Sequence, residues 1–413
     1  MVTTKQPGVL STVVGNGVPA YSGDGGPAVG ASINEPKSIA LGRAGFLYVA
    51  DSENHVIRRV DLATGVIVTI AGRPSDPGAE TKDLSAQEDP LPLDEEDPLG
   101  GPSQVTADRF TQSRDLSGTV RFVTGTQAGA KRCAGDGGPA VNALLNFPGA
   151  VAVDDNAYVY IADTMNHRIR KVDAMTGIIT TIAGTGQRRF SGDDGPAVSA
   201  ALNEPTALAL DGKGHLYIAD QSNHRVRRLD LDSGIIATAA GTGEAGYSGD
   251  GMPAVEAALS GPSGLAVDTE GALYIADTFN GRIRKVDPHT GIITTIAGDG
   301  NEYRYQGNPN EFSTSLSRPY GIALDRDGHL LITDSDSHLI RRWHRQKKII
   351  TRVAGTGVPG YNGDESVSKE SSLKYPFGVA VDGQGTIYIA DTFNHRIRML
   401  DLAAVNKNPV VCR

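Results

Sequence analysis

A motif of the form Ile-Ile-Thr-Thr-Ile-Ala-Gly recurs along the chain and ends at Gly15, Gly72, Gly184, Gly241, Gly298 and Gly355. Successive copies are 57, 112, 57, 57 and 57 residues apart. A fixed period of this length is the mark of a repeat architecture, in which each unit buries its apolar face against its neighbours. Between markers each unit runs alike: a Ser-Gly-Asp-Gly-Gly-Pro loop, an apolar strand, a Leu-Tyr-Ile-Ala-Asp strand, an Asn-His-Arg-Ile-Arg strand, then the next outer strand. Turn residues such as Asp211-Gly-Lys-Gly separate the short strands,. Four strands per unit predict the blade of a β-propeller.

Six complete units begin near Ser22, Ala134, Ser191, Ser248, Gln306 and Asn362. The N-terminal segment Val9–Val14 reads as a fourth strand with no first three before it. The last unit has three good strands and then only Asn408-Pro-Val-Val-Cys412, where proline removes a ladder donor,. The economical expectation is an all-β, six-bladed propeller spanning 1–413 as one domain, closed by the N-terminal strand, which also removes open sheet edges. The long step leaves residues 73–133 as an acidic, proline-containing insertion between blades 1 and 2. Ser117–Gly125 resembles a fourth strand and Gly101–Val105 a first, but only about ten residues separate Asp108 from Thr119, too few for two further strands and their turns at about 3.3 Å per residue,. The insertion is read as a decayed repeat or a lid, with seven blades as the alternative.

The string Asp163-Thr-Met-Asn-His-Arg-Ile-Arg-Lys-Val-Asp173, repeated nearly intact at Asp220, Asp277 and Asp391, together with the Gly-Asp-Gly-Gly-Pro-Ala loop, resembles the bacterial type of NHL repeat. The resemblance covers most of residues 8–400 and implies the propeller fold. It is weak for function: the family includes protein- and RNA-binding domains, sensor domains, and a zinc-dependent lyase that amidates peptides.

Residues present in every blade read as architecture. Histidines 55, 167, 224, 338 and 395 occupy matching places in different blades, so they are expected to satisfy local backbone groups rather than gather a metal. The Gly-Asp-Gly-Gly loops lack the helix of a phosphate loop and the spacing of an EF-hand; they read as turns, with calcium left open as an unproven cofactor. Residues that differ between blades are the informative ones. At the mouth where the first strands begin, the position after the proline holds Lys37, Gly149, Thr206, Ser263, Tyr320 and Phe377, and the position before it Glu35, Phe147, Glu204, Gly261, Arg318 and Tyr375. A concave mouth with aromatic walls and a few convergent polar groups is the default small-molecule site. There Lys37 and Tyr320 are expected to be the chemical residues, with Glu35 and Glu204 setting the lysine's charge. Arg318, Phe377, Tyr375, Phe147, Thr206, Ser263, Arg189 and Tyr305 would complete the ligand surface; the alternative is a set of rim ion pairs. The lyase of the resembling family holds zinc through histidines near these positions, and none of the six carries one, so neither zinc nor that reaction is carried over.

A net charge of −9 argues against a broad nucleic-acid surface, which needs a basic face,. No run of about 18 apolar residues exists, the N-terminus lacks the apolar core of a signal peptide, and two cysteines make no disulfide framework,. The expectation is therefore a cytoplasmic protein with no membrane partner. Two functions fit: a redox-cofactor-independent acid–base enzyme (lyase, cyclase, isomerase or hydrolase), or a scaffold with a protein partner on the mouth face.

Overall fold

The structure, a computed structural model, describes residues 8–74, 112–114, 120–122, 134–301, 315–364 and 366–401. Its strands form six antiparallel four-stranded blades joined in chain order. Blade 1 comprises Pro36–Leu41, Phe46–Asp51, Val56–Asp61 and Ile67–Ala71. Blades 2 to 5 open at Pro148–Val153, Pro205–Leu210, Pro262–Val267 and Pro319–Leu324. Blade 6 contributes Pro376–Val381, Thr386–Asp391 and Arg396–Asp401.

Its fourth strand is Val9–Val14, which pairs antiparallel with Arg396–Asp401 in the register Leu10↔Leu400 and Thr12↔Arg398. Leu10 and Val14 are fully buried there. Ring closure by the N-terminal strand is as the sequence predicts, and the candidate near Val410 falls outside the described residues. The seven-blade alternative is not realised: residues 76–131 form a separate unit, in which Gln112–Arg114 pairs with Val120–Phe122. Gly101–Val105, the other half of the supposed repeat, falls outside the described residues.

Edges are covered locally. In four loops a proline bridges to an outer strand, at Pro27↔Val66, Pro139↔Ile178, Pro196↔Ile235 and Pro253↔Ile292, and places a residue without an N–H at the sheet edge; in blade 6 Ser366–Val367 takes this place. The core lies in the seams between blades, where Val, Ile and Leu from one sheet meet alanines and tyrosines of the next.

Each blade is pinned by a fully buried arginine: Arg58, Arg170, Arg227, Arg284, Arg341 and Arg398. Arg58 reaches Asp51 of its own blade at 3.4 Å and Asp24 of the Gly-Asp-Gly-Gly loop at 2.8 Å. The same pairing to the loop joins Arg170–Asp136, Arg227–Asp193, Arg284–Asp250 and Arg398–Asp364. The loop carboxylates thus serve the guanidinium groups, and the repeated loop acts as a turn anchored from within.

Candidate functional site

Two kinds of cross-seam hydrogen bond build the mouth, each at five of the six seams: Gly281 replaces the histidine between blades 4 and 5, and Gln221 replaces the hydroxyl residue between blades 3 and 4. The repeated histidine, in the left-handed conformation at the end of its turn (φ 51 to 59° at His55, His167, His224, His338 and His395), accepts a hydrogen bond on Nδ1 from the residue that precedes the proline of the next blade. The donors are the backbone N–H groups of Phe147, Glu204, Gly261, Tyr375 and Glu35, at 3.1 to 3.2 Å. Acceptance on Nδ1 requires a neutral ring with its proton on Nε2. Burial, with nearby arginines and Lys374 adding to it, pushes His167, His338 and His395 down to about 4. The second bond runs from Ser52, Thr164, Thr278, Ser335 and Thr392 hydroxyls to the carbonyls of Pro148, Pro205, Pro319, Pro376 and Pro36, at 2.6 to 2.8 Å. Together they fix where the side chains on either side of each proline project.

Blade 1 supplies a charged cluster. Burial raises the Glu35 carboxyl to about 7, the charge of Glu53 adding to this and those of Lys37 and Lys374 opposing it. Burial likewise raises Glu53, against the pull of Lys37. The ammonium of Lys37 lies 6.0 Å from the centre of the Phe147 ring. Blades 5 and 6 supply aromatic surface. Tyr320, 7% exposed, stacks on Phe377 with ring centres 4.4 Å apart and planes 22° off parallel. Phe393 meets Tyr375 and Phe377 edge-on at 5.4 and 6.0 Å, and Tyr375 meets His338 at 4.4 Å. Blades 2, 3 and 4 place the small residues Gly149, Thr206 and Ser263 at the corresponding channel positions, all buried. Bulk is therefore concentrated on one side of the channel.

Tyr320 and Glu204, from blades 5 and 3, share an electrostatic environment. Burial first, then the Glu204 charge, raises the phenol above its ordinary range, with Arg318 opposing. Such a hydroxyl stays protonated and acts as a hydrogen-bond donor. Glu204 itself is held by Arg188 at 2.8 Å and Ser222 at 2.6 Å. Its carboxylate is thus engaged by an arginine and a serine, while the charge of Lys37 acts on the carboxyls of Glu35 and Glu53, opposing their upward shifts. Arg318 sits 3.5 Å from Asp336 and over the Phe279 ring at 5.6 Å. Ser263 is committed to Gln221, which donates to its Oγ at 2.6 Å, while Thr206 Oγ1 is buried with no hydrogen-bond partner among the described residues.

Arg189 is exposed. Its backbone carbonyl accepts from Asn223, and the neighbouring Phe190 stacks on Arg225 at 3.7 Å, so the loop's aromatic ring packs on its own blade. Tyr305 lies outside the described residues. A third ring of mouth residues goes unremarked in the sequence reading: Glu53, Met165, Ser222, Phe279, Asp336 and Phe393, on the turns between second and third strands. These are the variable positions inside the otherwise repeated Asp-x-x-Asn-His string, so the criterion that finds Lys37 would have found them too.

Two family models match the chain. The Teneurin NHL domain matches residues 104–189 and 233–315, and the NHL repeat matches 202–229, 316–343 and 373–399. Among curated proteins, Protein SUPPRESSOR OF QUENCHING 1, chloroplastic, of Arabidopsis thaliana is 29% identical over 273 residues, 63% of this chain and 25% of that protein. NHL repeat-containing protein 2 of Homo sapiens is 29% identical over 287 residues, covering 62% of this chain and 39% of its own length. Teneurin-3 of Mus musculus is 29% identical over 85% of this chain and 14% of its own. The chain thus spans well under half the length of these relatives. Among solved structures, a protein of unknown function from Bacteroides thetaiotaomicron superposes with a TM-score of 0.60 at 17% identity, covering 95% of this chain and 75% of that one. A gluconolactonase from Xanthomonas campestris gives 0.51 at 13% identity, covering 95% and 89%. At these identities the likeness is one of fold.

Proposed function

This chain belongs to the NHL-repeat β-propeller family, and from that premise we propose that its mouth face binds a small molecule and acts on it by acid–base chemistry without a redox cofactor. The observation that carries this reading is the collapse of blade symmetry at one place. The cluster of Glu35, Lys37 and Glu53 stands on the mouth face whose channel also holds the stacked Tyr320 and Phe377. Repeat architecture explains none of these residues, while a partly apolar recess with a few polar groups fits ligand recognition.

In this proposal Glu35 is the proton-exchanging group, because a carboxyl near 7 is populated in both forms at neutral pH,. Lys37 fixes an anionic or carbonyl oxygen of the ligand, and Tyr320 donates a hydrogen bond from a phenol that does not ionise. Glu204, held by Arg188 and Ser222, shapes the field at the phenol. The reaction class is proton transfer at carbon or at a leaving group: a lyase, cyclase, isomerase or hydrolase.

The second reading is a docking face for a protein partner, favoured by the exposure of Phe279 (41%) and Met165 (38%) on the same rim,. Incubation of the purified protein with a soluble metabolite extract, followed by mass-spectrometric comparison with a Glu35→Gln control, separates the two. Depletion of a metabolite by the native chain alone supports the enzyme. An unchanged extract, with no metabolite retained, favours the docking face.

A further inference from the structure

Five of the six outer strands carry a branched aliphatic residue that packs across a seam toward the neighbouring blade: Ile70, Ile182, Ile296, Val353 and, at the closing seam, Val13. Blade 3 has Ala239 in that place. The seam it faces is built largely of alanine, with Ala207, Ala209, Ala219 and Ala240 in its core. Beside it lies a groove of about 280 Å³, bounded by Ala239, Tyr217 and Arg228 of blade 3 and Leu273, Val286 and Pro288 of blade 4.

Two polar groups at this groove, Tyr217 and Arg228, have counterparts in Tyr48 and Arg59 of blade 1, where the tyrosine is 5% exposed, and differ from those of blades 2, 4 and 5. In blades 2 and 4 the equivalent tyrosines, Tyr160 and Tyr274, donate to Asp154 and Asp268 at 3.1 and 3.2 Å and are 2% and 1% exposed. In blade 3 the corresponding Asp211 is taken by the His215 ring at 2.7 Å. Tyr217 is left half-buried, with its hydroxyl beside the Arg228 guanidinium. The counterpart of Arg228 in blade 5, Arg342, is paired with Asp325 at 3.1 Å. Arg228 is exposed, and its guanidinium hydrogen-bonds the Tyr217 hydroxyl. Asp287, on the blade 4 wall, is committed to its own turn through the N–H groups of His289 and Thr290.

We propose that this groove is a second binding site, for a small carboxylate with a short apolar tail. The carboxylate is received by the guanidinium of Arg228 and the hydroxyl of Tyr217, a pairing of planar fork and planar anion. The tail lies on Ala239, Leu273 and Val286, where it replaces the aliphatic side chain that the other seams supply themselves. A groove of this size lies below the range of drug-sized sites,. The site is separate from the mouth in both residues and chemistry, and it stands or falls independently of the acid–base reading.

The test uses hexanoate as the probe, titrated into the full chain and followed by ligand-detected NMR, with hexylammonium as the charge-reversed comparison. Hexanoate is expected to bind the native chain, and hexylammonium is expected not to. Loss of a hydrogen-bonded charge partner in Arg228→Gln should weaken hexanoate about tenfold or more. Ala239→Ile should abolish binding while leaving the melting temperature equal or higher, because it fills the groove with the side chain found elsewhere in the ring. Lys37→Met should bind hexanoate as the native chain does. The proposal is overturned if hexanoate does not bind, if it binds both Ala239→Ile and Arg228→Gln undiminished, if hexylammonium binds equally well, or if Lys37→Met removes the binding and so places it in the mouth.

Discussion

The Nδ1 atom of His395, in the last blade, accepts a hydrogen bond at 3.2 Å from the backbone N–H of Glu35 in the first, a pair 360 residues apart in the chain. This bond therefore crosses the closing seam, beside that of Thr392 to Pro36, and positions the residue to which the proton chemistry is assigned. His395→Ala leaves that buried N–H without its partner and should cost about 1–3 kcal/mol, read as a shift of the denaturation midpoint, with Glu35 losing its fixed position.

The same histidines give a pH dependence of defined sign. Folding lowers His167, His338 and His395 to about 4, whereas an unfolded imidazole titrates near 6.5. Their contribution to stability is complete above about 6.5 and is lost as pH falls from there toward 4, because the unfolded chain takes up protons first. NMR titration of the ring protons should show these three unchanged from pH 8 down to 5.

Deleting residues 1–16 removes the outer strand of blade 6 and bares the edge Arg396–Asp401. Loss of Leu10 and Val14 burial alone amounts to about 3–6 kcal/mol,. The truncated chain should aggregate or melt far lower. A monomer with the native melting point would show that the strand pairing is dispensable.

Arg227 has no exposed side-chain surface and binds both Asp193 and Asp220. Arg227→Met strands the fully buried Asp220 and should destabilise by about 3–5 kcal/mol, measured by urea denaturation. Exposed Lys213→Met should stay within about 0.5 kcal/mol of the native chain.

Much of the fold was legible because a propeller repeats its instructions. The 57-residue step gave the blade, and the orphan strand Val9–Val14 gave the closure. The long step was harder, since Ser117–Gly125 and Gly101–Val105 look like strands by local composition, and only the pairing of Gln112–Arg114 with Val120–Phe122 shows a separate hairpin. At the mouth, searching for residues that break the repeat found Lys37, Tyr320 and Glu35. It could not show that Arg188 and Ser222 engage Glu204, because an ion pair and a hydrogen bond between residues 16 and 18 apart depend on loop geometry. Nor could it show that the histidines act across seams to the following blade, a relationship that exists only once the ring is assembled.

Ligand binding at the mouth should also follow pH. Glu35, raised to about 7, is neutral below that value and anionic above it, so the mouth gains negative charge as pH rises through 7. Affinity for an anionic ligand should fall across that interval and affinity for a cationic one should rise. Glu35→Gln should flatten both profiles in calorimetric titrations at pH 6 and 8.

The central claim, that the mouth's blade-specific residues form a small-molecule site, is tested most directly by comparing function with stability in Lys37→Met, Tyr320→Phe and the double variant. Turnover of the metabolite found in the extract experiment, or its affinity where it is bound unchanged, is measured beside the melting temperature of each protein. Loss of a group that takes part in acid–base or oxyanion chemistry should reduce turnover about 10²–10⁴-fold, with melting temperatures close to native because both substitutions roughly preserve side-chain bulk. Native function in all three variants, or a loss matched by an equally large fall in melting temperature, would contradict the account and leave these residues as structural elements of the rim.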